Sequence, residues 1–137
     1  MEQEKEKKTK LHFPNGLYGF ETYTEFELFP AEVDPLLRMQ SIENKDLSFL
    51  LVDPFVFFDD YEVDVDDDTL NLLEIEDADD LFILALITIS KTTPAVVTAN
   101  LQGPIVINNV NKKAKQIVLI DTEWQTKHDL FAKNKSE

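Results

Sequence analysis

The chain has 137 residues, 43% of them apolar, with no Cys and with 27 acidic against 13 basic residues, a formal charge of −14. That length suits one domain with a single core, and the lack of Cys excludes disulfides, thiol nucleophiles and thiolate metal sites. The charge is also segregated: residues 46 to 90 hold fourteen acids and no Lys or Arg, whereas residues 91 to 137 hold four acids and seven Lys. A field of this sign repels phosphate backbones and favours a basic protein partner, although charge of this size also serves solubility alone.

Residues 1 to 10 are charged and almost free of apolar side chains, so they read as a mobile tail with no secretory h-region. The folded unit is expected over 11 to 131, with a second mobile tail at 132 to 137. Gly16-Leu17-Tyr18-Gly19 has the outline of a phosphate-gripping loop, but Asn15, Phe20 and Glu21 flank it instead of basic residues, and it reads as a turn. With only Gly16, Gly19 and Gly103 in the chain, each should mark a positive φ or a close backbone approach.

Leu47–Val52 is the first apolar run with strand composition. Pro54–Tyr61 then places three Phe and a Tyr in eight residues, immediately before an alternation of apolar and acidic residues, Tyr61-Glu62-Val63-Asp64-Val65-Asp66. Alternation predicts a strand with Tyr61, Val63 and Val65 inward and the carboxylates outward. Asp68 is placed to cap a short helix over Thr69–Leu73. Leu81–Ile89, the longest apolar stretch, is half a bilayer span and reads as a strand because of its Ile and Thr content; no membrane insertion is expected. Ile105–Ile107 and Ile117–Ile120 are further apolar strands of the kind covered on both faces. Thr122–Phe131 could close the domain as a helix with Trp124 and His128 on one side. These elements describe an all-β, mainly antiparallel domain, barrel-like or sandwich-like, with one or two short helices.

The catalytic inventory is nearly empty. His12 and His128 lie at opposite ends of the domain without a local nucleophile or ligand partner, and no nucleophile elbow, P-loop or zincin motif occurs. Asp64, Asp66 and Asp68 have the spacing of the first calcium-loop ligands. The sixth position, however, is Thr69 instead of Gly and the twelfth is Ile75 instead of Glu. No catalytic residue, metal or cofactor is therefore assigned. What remains is a binding surface, in which an aromatic anchor from Phe57, Phe58 or Tyr61, ringed by Glu62, Asp64, Asp66, Asp67 and Asp68, suits a basic, apolar partner segment. The competing reading buries all the Phe residues in the core.

The ordered residues resemble the FliW family of bacterial flagellar assembly factors. The most specific part is Thr98–Asn108, which holds Asn100, Leu101, Pro104 and Asn108. Phe13–Phe20, with Gly16, Gly19 and Phe20, resembles the N-terminal signature. Met39-Gln40-Ser41 and Gln116-Ile117-Val118-Leu119 are similar to two further elements. Met39, Gly103 and Trp124 stand where Leu, Ala and Tyr are more usual. The resemblance implies a cytoplasmic, non-enzymatic β-barrel-like protein that binds flagellin before export and antagonises the translational repressor CsrA, with flagellin competing for it; a monomer is expected. The residues themselves leave open a different class, an acidic mimic of nucleic acid that plugs a basic groove. Pro104, which cannot donate to a ladder, should start its strand after a turn at Gly103, with Asn100 and Asn108 satisfying backbone groups at strand ends.

Overall fold

The computed structural model describes residues 8–120 and 122–131. Its strands are β1 (Thr9–His12), β2 (Glu25–Pro30), β3 (Leu37–Ser41), β4 (Ser48–Val52), β5 (Leu81–Ile89), β6 (Val97–Ala99), β7 (Ile105–Asn108), β8 (Ala114–Gln116) and β9 (His128–Asp129). One short helix, α1 (Asp67–Leu72), and 3₁₀ turns at Pro54–Val56 and Ala78–Asp80 lie between β4 and β5. All strand pairs are antiparallel, and β1 to β5 pair in sequence order. The first half of β5 also pairs with β7 over Leu81–Leu84, and its far end pairs with β6 over Ile87–Ile89. β7 continues to β8. His12 of β1 then bridges Lys113, just ahead of β8, so the edge strands touch and the sheet curls into a barrel-like closure.

Side-chain alternation along β5 divides the interior into two cores. Leu84 joins Leu11, Phe13, Phe26, Met39, Leu51, Ile105 and Ile107 inside the curl. On the other face of the same strand, Ile83 and Ala85 join Tyr61, Leu73, Ala99, Leu101, Val106, Ile117 and Leu130. The middle of β5 is apolar on both sides because it is covered on both sides.

Several sequence expectations change here. Thr9 and Lys10 belong to β1, so the folded unit starts before residue 11. The expected tails over residues 1–7 and 132–137 lie outside the described residues. Tyr61–Asp66 keeps the expected inward and outward alternation but is no strand, because among the described residues no ladder partner lies alongside it. Ile117–Ile120 lies beyond β8 and is only partly covered. Thr122–Phe131 forms no helix among its described residues; the two-residue strand β9 pairs with β6 instead, where a backbone ladder outcompetes a short helical signal. Asp66, not Asp68, stands at the N-cap of α1, its carboxylate accepting from the Thr69 hydroxyl at 2.6 Å.

Motif residues hold turns. Gly16 has a φ of 68°, and a Cβ there would meet the Glu21 backbone at 2.6 Å. Gly103 is a close approach: its Cβ would sit 3.1 Å from both the Asn100 and Gln116 amide nitrogens. Asn100 Oδ1 accepts from the Gln102 and Gly103 amides, and Gln116 Nε2 donates to the Gly103 carbonyl at 3.0 Å. Pro104 directly precedes β7. Ser41 Oγ accepts from the Asn44 amide, and Gln40 Nε2 donates to the Lys45 carbonyl. Buried Asn108 donates from Nδ2 to the carbonyls of Leu73 and Glu74, at 2.8 and 3.2 Å, and accepts from the Val110 amide.

Two outcomes follow from these bonds. Asn108→Ala removes the donor to Leu73 and Glu74, so urea denaturation should show a loss of about 2 kcal/mol, whereas exposed Asn109→Ala should change little. Tyr61 is 3% exposed and its hydroxyl donates to the Leu101 carbonyl at 2.7 Å; burial pushes its phenol pKa up. A raised folded pKa gives stability that is fully present below the unfolded value of about 10 and is lost as the pH climbs beyond it. Tyr61→Phe should cost about 1–2 kcal/mol at neutral pH and should flatten the alkaline fall in melting temperature.

Candidate functional site

The excursion between β4 and β5 builds the acidic face. Asp53 starts it by accepting from the Phe55 amide at 3.0 Å, which turns the chain at Pro54–Val56. Tyr61 then plugs into the second core while Val63 and Val65 pack half-buried against it. With those three inward, Glu62, Asp64 and Asp66 are exposed, followed by exposed Asp67 and Asp68 in the first turn of α1. Carboxylates in that turn complement the helix dipole, though their larger effect is to concentrate charge.

Almost none of this charge is neutralised locally. Among the described acids of residues 46 to 90, only Glu74 is in an ion pair, with Lys113 Nζ 2.7 Å from its carboxylate. That lysine, by hydrogen bond and by charge, holds the Glu74 carboxyl below the usual carboxylate range. Asp66 is held low chiefly by the Thr69 hydroxyl, with a smaller contribution from Lys115.

The aromatic anchors divide differently from the sequence expectation. Tyr61 is a core residue and presents no ring to solvent. Phe57 and Phe58 are half-buried, Phe57 edge-on to Phe131 and Phe58 edge-on to His128, at centroid distances of 6.1 and 6.0 Å. The exposed aromatic of the segment is Phe55, 43% accessible, which shares a shallow depression with Asp53, Val63 and exposed Phe82. Sequence reasoning missed Phe55 and Phe82 because an apolar run does not say which of its faces is covered; the 3₁₀ turn after Pro54 breaks the alternation for Phe55, and Phe82 stands on the uncovered start of β5.

A groove runs alongside. Asp64, Asp66 and Thr69 face Lys115 and the run Ile117–Ile120 across a space of about 510 Å³, and the groove continues past Glu62 towards Trp124. Within that run Ile117 is buried, whereas Val118 is 50% and Ile120 81% exposed.

The histidines stay apart. His12 pairs with Glu25 across β1 and β2. His128 Nε2 accepts from the Gln125 amide at 2.7 Å, and its desolvation against Phe58 and Trp124 lowers its pKa, which outweighs the opposing pull of Glu123. Among the described residues neither bonds a hydroxyl, and no three His, Asp or Glu side chains converge enough to hold a metal ion. No helix among the described residues is long and apolar enough to cross a membrane. The face combines exposed carboxylates with exposed apolar surface.

The chain matches the profile of the family described as "FliW protein" over residues 1–130. It is 48% identical over 117 residues to the flagellar assembly factor FliW of Treponema pallidum (strain Nichols), covering 85% of this chain and 77% of that one. It is 44% identical over 122 residues to the Treponema denticola protein of the same name, covering 89% and 82%. A crystal structure of the flagellar assembly factor FliW superposes with a TM-score of 0.82 at 36% identity, covering 88% of this chain and 84% of the other. Profile, relatives and solved fold agree, and the chain belongs to the FliW family of flagellar assembly factors.

Proposed function

We propose that this protein is a non-enzymatic flagellar assembly factor of the cytoplasm that binds flagellin and antagonises the translational repressor CsrA, coupling flagellin synthesis to export. The observation that carries the reading is the acidic face: Glu62, Asp64, Asp66, Asp67 and Asp68 are exposed together, none is in an ion pair, and the apolar anchor Phe55 stands beside them. A concentrated negative field accelerates encounter with a basic RNA-binding protein and repels both RNA and a second copy of the chain, which supports a monomer. Phe55, with half-buried Phe57 and Phe58, supplies the apolar contact that an exported structural protein needs. Tyr61 acts beneath the surface by holding the acidic segment in place.

The test replaces Glu62 by Gln and Asp64 by Asn, two carboxylates without a structural bond, and spares Asp66, which caps α1. Affinity for CsrA should fall about three- to tenfold at low salt, and the difference should vanish near 1 M, where the Debye length is about 3 Å. Flagellin binding should change little with salt and should weaken in Phe55→Ala. CsrA affinity and salt dependence unchanged in the double variant would overturn the assignment of the acidic face. An antagonist acting away from the RNA groove lowers RNA affinity without mutual exclusion, whereas a nucleic-acid mimic excludes RNA outright.

A further inference from the structure

The hydrogen-bond register of β7 with β8 does not stop where β8 ends. Ile117 N–H donates to the Pro104 carbonyl at 3.0 Å and Leu119 N–H to the Gln102 carbonyl at 2.8 Å, continuing the pairing of Gln116 with Ile105. In an antiparallel ladder the residues between such pairs direct both N–H and C=O the other way. Val118 and Ile120 therefore present donors and acceptors along an outer edge, and among the described residues neither has a backbone partner there. Their side chains are the exposed ones, while Ile117 and Leu119 pack into the second core.

This edge lacks the usual protections. Residues 116 to 120 include no Pro and no charged side chain, and Val and Ile are strong strand formers. Glu62, Val63 and Asp64, on the far wall of the groove, make no backbone bond to it or to any described residue. The charged side chains in the groove lining are carboxylates, Asp64 and Asp66 beside the edge and Glu62 further along, with Lys115 the one cation. A second copy would bring its own acids against these and is repelled, as is a nucleic acid.

We infer that Val118–Ile120 is a strand-addition edge that takes an extended segment of a partner protein with alternating apolar and basic side chains. The partner's backbone pairs with Val118 and Ile120, its apolar residues cover their side chains, and its cations face Asp64 and Asp66. This rests on the reading of the acidic face as a docking surface for a basic partner and adds the backbone geometry by which it docks.

The experiment uses the full chain with a synthetic peptide alternating Lys and Val, and a Glu–Val peptide as control. On binding the Lys–Val peptide, amide exchange at Val118 and Ile120 should slow by about tenfold or more, with Ile117 and Leu119, already bonded, nearly unchanged. Ile120→Lys, at a position with nothing to unfold, should weaken binding about tenfold, and Asp64→Asn should weaken it at low salt only. Val118→Pro removes the amide outright and is a second variant, scored only if its melting temperature is retained. Peptide binding that is sensitive to Asp64→Asn but leaves the amides of Val118 and Ile120 unprotected overturns strand addition and leaves the acidic docking face standing. Binding insensitive to Asp64→Asn, with those amides protected, removes the acidic reading instead. Absence of binding, equal binding of the Glu–Val peptide, or protection that rises with protein concentration without peptide overturns the proposal.

Discussion

The structure depends on β5 being apolar on both faces. Leu84 requires the curl of β1 to β4 with β7 and β8 on one side, and Ile83 and Ala85 require a second cover on the other. The chain between β4 and β5 supplies much of that cover with Tyr61, Val63 and Val65, joined by Leu73 at the end of α1 and by Trp124 and Leu130 from the C-terminal segment. The consequence is electrostatic. A cover one residue thick buries every second side chain and exposes the rest, and in this chain the rest are Glu62, Asp64 and Asp66. Core packing and the acidic face are two sides of one segment. Two polar anchors fix it: the Tyr61 hydroxyl on the Leu101 carbonyl, and Asn108 on the carbonyls of Leu73 and Glu74.

The same constraint explains what was legible beforehand. Alternation from Tyr61 to Asp66 reports which side chains face inward, and it did so correctly because burial imposes a period of two whether or not a ladder is present. Its extension to a strand failed because hydrogen-bond partners lie outside that pattern. Asn100 and Gly103 were readable as a turn because the Asn100 side chain acts on backbone only two or three residues away, at Gln102 and Gly103. Gln116 was not: it reaches Gly103 and Tyr18 across long sequence separations. Exposed Phe55, Phe82, Val118 and Ile120 were illegible for a different reason. Apolar runs are read as covered, and whether the cover exists depends on where a distant segment passes.

Unneutralised charge acts against the fold as well as for binding. Glu62, Asp64, Asp66, Asp67 and Asp68 lie close together, and their mutual repulsion favours any state in which the segment lifts away. Holding it down falls to apolar burial and to the two anchors, which salt does not screen. Glu74 adds an electrostatic anchor where α1 gives way to the chain leading to β5, through Lys113. That cation sits beside the His12 bridge closing the sheet, so the barrel seam and the end of the acidic segment are tied at one point.

That seam also determines where the sheet stays open. Among the described residues, β1 meets the far side of the seam at His12 alone, through one bridge to Lys113 and the His12 N–H bond to the Lys112 carbonyl. Beyond it Phe13 turns back to Thr24, and Gly16 reverses the chain under a positive φ, so β1 cannot follow β8. The Gly16–Gly19 turn covers only the start of the vacated edge, where the Tyr18 amide donates to Gln116 Oε1. From Val118 onward no described backbone pairs with the edge; the acidic segment lines the groove beside it, with Tyr18, Thr122 and Trp124, without bonding to its backbone. A sheet fully closed at this seam would have no free backbone beside the carboxylates, and an acidic segment shifted into the ladder would have lost its outward charge. Incomplete closure leaves both in place, on opposite walls of one groove.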